Sequence, residues 1–161
     1  MPADAVVDAS PLIHLSKGGH FDLLRLLGGR VLIPSLVLTE IERRGPTDPT
    51  VVALAAADWV VAVDAPDVPA VIQAWDLGFG ESSVLAYAWS HPGTIAIIDD
   101  LQGRRCAEAL GVSIHGTLGL VLLAKRHGLI AAARPVLEEL RDQGMYLADR
   151  TLDRALGLVG E

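Results

Sequence analysis

Cysteine is almost absent from this chain: Cys106 is the only one. No intramolecular disulfide can form, which excludes a small secreted domain held by crosslinks, and a lone thiol suits a reducing cytosol. Cys106 falls in the apolar pattern of a helix and reads as a small core residue, since no feature around it marks a nucleophile. Positive charge is also scarce. Lys and Arg number 13 against 20 Asp and Glu, a net charge of −7, so the sequence shows no broad basic footprint for nucleic acid. A phosphate can still be held through a bound cation, and local basic pairs occur at Arg43-Arg44, Arg104-Arg105 and Lys125-Arg126. Long apolar runs are missing too. The stretch from Val51 to Val63 is broken by Asp58 and is too short to span a bilayer. Asp4 and Asp8 interrupt what would have to be a basic start and an apolar signal core, so the expectation is a soluble cytoplasmic protein.

Two further absences remove metal and nucleotide alternatives. The histidines His14, His20, His91, His115 and His127 show no His-x-x-x-His or similar spacing, which argues against zinc. Gly116-Thr117-Leu118-Gly119 lacks the Gly-Lys-Ser/Thr ending of a phosphate loop, and its glycines read as sites of close helix packing. Trp59, Trp75 and Trp89 are too dispersed for a base-stacking platform. Trp75 and Phe79, close to Glu81 in sequence, are the aromatic residues expected at a site rim.

What is present is apolar and alternating. The 161 residues are 51 % hydrophobic, enough for one domain, residues 1–161, with a sizeable core. Short apolar runs at Ala5–Asp8, Val31–Ile33, Trp59–Val63, Ile95–Ile98 and Val112–Ile114 read as strands. Between them lie helical patterns. One starts at Ser10-Pro11, taken as N-cap and first helical residue. Others run from Phe21 to Leu27, from Pro34-Ser35 through Arg43-Arg44, from Pro49 to Ala57, from Glu81 to about Ser90, from Leu101 to Leu110 and from Thr117 to about His127. Two more, around Arg134–Gln143 and Asp149–Leu158, finish the chain, and Asp64–Pro69 reads as a loop within the domain. The alternation predicts an α/β fold of three layers, a mostly parallel central sheet flanked by helices; strand order is not specified by it.

Two of the apolar runs end abruptly in aspartate: Val6-Val7-Asp8 and Ile97-Ile98-Asp99-Asp100. In open α/β sheets ligands bind outside the carboxyl ends of the strands. Each acidic residue has an ordinary explanation. Asp99 or Asp100 can cap the next helix, Glu81 can complement a helix dipole, and Glu40 can be a solvated helix residue beside Arg43 and Arg44. Asp8 resists such a reading, because a carboxylate at the end of a buried strand needs partners. If the four regions share one rim they form a carboxylate cluster, a donor set suited to Mg²⁺ or Mn²⁺, and a water held there can attack a phosphodiester without a catalytic histidine.

Four segments together resemble the PIN-domain ribonucleases: Val-Val-Asp8-Ala-Ser10-Pro11-Leu-Ile, Pro34-Ser35-Leu-Val-Leu-Thr-Glu40-Ile, Gly78-Phe-Gly80-Glu81-Ser, and Ile-Ile-Asp99-Asp100-Leu-Gln-Gly-Arg104-Arg105. The opening Asp-x-Ser-Pro-Leu-Ile and the later Gly111–Gly119 run look like the VapC-like toxin branch, and the likeness extends from Asp8 to about Gly128. The resemblance implies a PIN fold, a Mg²⁺- or Mn²⁺-dependent endoribonuclease, an RNA substrate, a cognate antitoxin protein and a homodimer. Matched by position, Asp8, Glu40 and Glu81 take the first three acidic places, and the fourth falls in the Asp99-Asp100 pair. The family's Thr or Ser two residues ahead of this aspartate points to Asp100, with Ile98 in the hydroxyl position, and that departure leaves Asp99 in contention. Ser10 matches a hydroxyl residue that helps to hold a water. Arg104 and Arg105 are candidates for steering the phosphate backbone, or else a solvated helix face. Two other classes stand beside this one: a degenerate PIN-like module that binds RNA or protein without cleaving, and a phosphoacceptor receiver domain. The receiver is disfavoured because the first strand ends in Asp-Ala-Ser and the last is followed by His115, not lysine.

Overall fold

The computed structural model describes residues 2–161. The order along the chain is β1 (Ala3–Val7), α1 (Ala9–Lys17), a 3₁₀ turn (Phe21–Arg25), β2 (Gly28–Pro34), α2 (Ser35–Glu42), α3 (Pro49–Ala56), β3 (Val60–Val63), α4 (Ala70–Gln73), α5 (Phe79–Ser90), β4 (Ile95–Ile97), α6 (Leu101–Leu110), β5 (Ile114–His115), α7 (Thr117–Arg126), α8 (Ala133–Asp142) and α9 (Asp149–Leu158). The five strands form one sheet in the order β3-β2-β1-β4-β5, and every pairing is parallel. The expected α/β architecture, a parallel sheet flanked by helices, is the one observed.

Successive strand residues point to opposite faces. Val6 and Val7, Leu32 and Ile33, and Ala96 and Ile97 are all buried, so both faces of the central strands are covered, as parallel sheets require. The chain runs outward through β1, β2 and β3, then returns to the far side of β1 for β4 and β5. With right-handed crossovers the helices of these two halves fall on opposite faces. Contacts follow this for α1 with α3 and for α5 with α4 and α6, while α2 packs against both α1 and α5 and the later helices α7 and α8 return to α1. The sheet therefore changes direction between β1 and β4, and this switch point is where both aspartate-ended strands lie.

Several element boundaries depart from the sequence reading. Helix α1 begins at Ala9 with Asp8 as its N-cap, one strand end running straight into a helix. Ser10 and Pro11 therefore sit inside the first turn; proline is tolerated there because the first-turn N–H groups have no helical partner anyway. The segment after Gly19 forms only the 3₁₀ turn, ending at Arg25 instead of Leu27. Helix α5 starts at Phe79, so Gly80 lies within it. The last strand is displaced to Ile114–His115, placing His115 in the sheet, where its carbonyl accepts from the Ile98 N–H. The short α4 carries no periodic signal and is an addition. Cys106 is fully buried in the core, as expected.

Where β1 meets β2 the register shifts between Ala3 and Ala5. Gly29 permits it: a Cβ there would collide with the Ala3 carbonyl. At the end of α6, Gly111 adopts φ +72, the left-handed C-cap conformation that glycine accepts without a Cβ penalty.

Candidate active site

Register decides which carboxylates can meet. Val7 pairs with Ile97, and the Asp8 N–H donates to the Ile97 carbonyl at 3.0 Å. Asp8 is thereby locked level with Ile98, directly before Asp99-Asp100. On its other side Val6 pairs with Leu32, which puts Pro34, and the α2 helix leaving it, at the same rim. Helix α2 carries Glu40 over this rim, and α5 delivers Glu81 in its first turn.

Gly80 reports the closeness. A Cβ built on it would lie 3.2 Å from Asp8 Oδ1 and 3.2 Å from Glu40 Oε2, so absence of a side chain keeps open the space between two carboxylates. A Cβ on Gly103 would lie 3.3 Å from Glu81 Oε2. Asp8, Glu40 and Glu81 line one cleft of about 710 Å³ with Ser10, Arg43 and Phe79. Glu81 and Ser10 also line an adjoining cleft of about 520 Å³, together with His14, Asp99, Asp100, Arg104 and Tyr146. The two share a wall and together form one acidic trough. All five acidic residues singled out in the sequence border it, and so do Ser10 and Arg104. Arg105 lines neither cleft and lies exposed on α6. Of the two anticipated rim aromatics, Phe79 lines the larger cleft, and Trp75 borders a third hollow beside Glu81 and Asp100.

The charges disturb one another. Burial, reinforced by the charges of Glu40, Asp99 and Asp100, pushes the Asp8 carboxyl up to about 6 against the pull of the Ala9 N–H. Glu81 is pushed up to about 7 by burial and then by Asp8 and Asp100. Strongly perturbed carboxylates in a cleft are a physical mark of a functional site. Nevertheless the side chains form an open ring: among the described residues, no three Asp, Glu, His or Cys side chains stand close enough together to hold a metal ion as placed.

Asp99 and Asp100 are used differently. Both oxygens of Asp99 accept from Thr117, from its N–H and its hydroxyl, each at 2.7 Å. That joins the end of β4 to the start of α7, whose own N-cap residue, Gly116, has no side chain to offer. Asp100 caps α6 through Oδ2, which accepts from the Gly103 N–H at 3.1 Å, and its side chain is exposed to the trough.

Three basic or aromatic lining residues are not singled out as site candidates by the sequence, Arg43 entering only as part of a basic pair. Arg43 follows Glu40 by three positions, and His14 follows Ser10 by four, so helical spacing alone places each pair on one face. His14 Nε2 lies 4.0 Å from Asp99 Oδ2, and burial lowers its pKa while Asp99 opposes the shift. Tyr146 sits in the irregular segment between α8 and α9, far along the chain, and no local pattern marks it.

A family model for the PIN domain matches residues 4–161. No curated protein and no solved structure matches the chain.

Proposed function

The chain belongs to the PIN-domain family, a nuclease-type fold, and from that premise we propose that it is a metal-dependent endoribonuclease hydrolysing RNA phosphodiester bonds. The observation that carries this reading is the convergence of Asp8, Glu40, Glu81 and Asp100 from four separate elements on the trough at the sheet's switch point. The donor set fits Mg²⁺ or Mn²⁺: it is all oxygen, partly buried, with the side-chain-free position of Gly80 between Asp8 and Glu40. When bound, such an ion supplies Lewis acidity and lowers the pKa of a water.

In this reading Asp8 and Asp100 hold the ion, because Asp99 has both oxygens committed to Thr117 whereas Asp100 has one to spare. Glu40 and Glu81 complete the donor set or orient the attacking water. Ser10, exposed in the first turn of α1, offers a hydroxyl to the same water, and Arg104, which lines the trough, steers phosphate. The chain's opening motif extends the proposal to the toxin of a toxin–antitoxin pair, acting as a homodimer in the cytoplasm. Growth arrest on expression alone, relieved by co-expressing a small neighbouring reading frame, tests that role.

Purified protein is expected to cut RNA with Mg²⁺ or Mn²⁺ and to stop cutting in EDTA. Asp8→Asn should reduce cleavage by at least a hundredfold with the fold intact by circular dichroism. Undiminished cleavage by that variant removes the assignment. The open spacing of the carboxylates favours one rival, a degenerate module that binds RNA or protein without cutting. Such a module would show no divalent-dependent gain in stability, which binding to the native state must produce.

A further inference from the structure

Phenylalanine and tyrosine are rare in this chain, two of each. One of each is packed away: Phe21 lies against Trp59 with ring centroids 5.5 Å apart, and Tyr87 is buried and stacked on His91. The other two are the most exposed aromatic side chains among the described residues, Phe79 at 87 % and Tyr146 at 90 %. They stand at opposite halves of one trough. Phe79 lines the cleft that holds Asp8 and Glu40, and Tyr146 lines the adjoining cleft that holds Asp99 and Asp100. Each half also has its own arginine, Arg43 beside Phe79 and Arg104 beside Tyr146. Among the described residues neither arginine forms an ion pair.

Resting on the nuclease reading, with single-stranded RNA as the substrate, we propose that Phe79 and Tyr146 stack bases on the two sides of the scissile phosphate. An aromatic ring left in water gains most from a flat apolar partner, and every base offers one, so stacking binds single strands with little sequence preference. Bases inside an A-form duplex are already stacked and closed to such contact. Arg43 and Arg104 give each flank a cation for the phosphate beside the stacked base, which offsets the net negative charge of the protein locally. The two clefts share Ser10 and Glu81, so a strand held at both ends must pass over the carboxylates. Phe79 and Tyr146 are on this account specificity residues that touch substrate, and they select strand state, not sequence.

The test uses short single-stranded RNAs carrying 2-aminopurine, whose fluorescence is quenched on stacking, with the Asp8→Asn protein for binding and the otherwise unaltered protein for kinetics. Phe79→Leu and Tyr146→Leu should each weaken binding about tenfold, lose most of the quenching, and raise KM with kcat within about twofold. Tyr146→Phe should keep the parental values. Trp89→Leu is the control, an exposed aromatic at the other end of α5, ten residues and about 15 Å away; it should change nothing. A perfectly paired duplex of the same sequence should bind at least tenfold more weakly. Parental binding and quenching in both leucine variants, or equal affinity for the duplex, overturns the clamp while leaving the nuclease intact, and assigns these aromatics to contact with another protein. If the unaltered protein neither binds nor cuts any RNA, the nuclease reading fails, and the clamp with it.

Discussion

An ionised carboxylate is costly to bury, and Asp8 is only 6 % exposed at the end of the central strand. The cost is visible in the carboxyl's rise to about 6 and in the companion rise of Glu81 to about 7. A carboxyl whose pKa is higher folded than unfolded holds its proton more tightly in the native state, so between those two values the native chain carries more protons. Stability then falls as pH rises through that window and is penalised fully above it. For Asp8 the window runs from about 4 to about 6, and Glu81 extends it to about 7. The metal-free protein is therefore expected to gain stability on acidification from pH 7.5 to about 5, with Asp8 contributing on the order of 2–3 kcal/mol. Below that, Asp4 and Asp48, whose pKa values are lowered chiefly by the Asp4–Arg30 hydrogen bond and by the backbone and Arg44 bonds to Asp48 against its desolvation, lose their contribution and stability declines again. Urea titrations in EDTA across this range measure the slope. Asp8→Asn should flatten it and should be more stable than the parent at pH 7.5. A parent whose stability climbs steadily from pH 5 to 7.5 contradicts the picture.

At the scale of elements, the bond between Asp99 and Thr117 decides how one end of β4 is held. Thr117 is fully buried and donates twice to the carboxylate, so α7 is capped by a residue 18 positions earlier. Thr117→Val removes the hydroxyl donor and leaves a partly buried carboxylate oxygen unpaired, at an expected cost of about 1–3 kcal/mol. Thr117→Ser keeps the donor and should recover most of it; equal losses in the two variants, read from denaturant midpoints, would show that packing of the threonine methyl matters and the bond does not. This joint also shows what sequence could and could not convey. The apolar runs ending in Asp8 and Asp99 are local, and so is the helical spacing that follows each, which is why the strands, the parallel α/β class and the acidic candidates were readable. Strand order is a matter of distant pairing, and no residue near β4 states that it lies beside β1. The proposed preference for Asp100 over Asp99 rests on Thr117, whose hydroxyl is unremarkable until the fold brings it across. Ser10 as a cap failed for a nearby reason: the chain needs no linker between β1 and α1, so Asp8 takes that place. Tyr146 belongs to an irregular segment with no period at all, and only tertiary structure carries it to the trough.

For the molecule as a whole, net charge and site location pull in opposite directions. A chain of charge −7 repels RNA at long range, and on the proposed reading its most acidic concavity is the one that receives a phosphate. On that reading a divalent cation at the rim would resolve both problems, since it would neutralise the carboxylates and present positive charge to the strand. Binding only to the native state stabilises it by RT ln(1 + [L]/Kd), about 2.7 kcal/mol when the ion stands at a hundredfold its Kd. For a chain of this size that corresponds to a rise of roughly 5–10 °C in Tm. Mg²⁺ or Mn²⁺ should produce that rise at pH 8, while NaCl at matched ionic strength should not, because screening acts on all charges and not on one ring. At pH 5 the ion must displace protons from Asp8 and Glu81, so the same concentration should give a much smaller shift. Asp8→Asn should abolish most of the rise at pH 8. A rise of equal size in that variant would place the ion elsewhere on the surface and detach the acidic trough from metal chemistry, whereas a rise confined to the parent and to alkaline pH ties the ion, the buried aspartate and the switch point of the sheet to a single site.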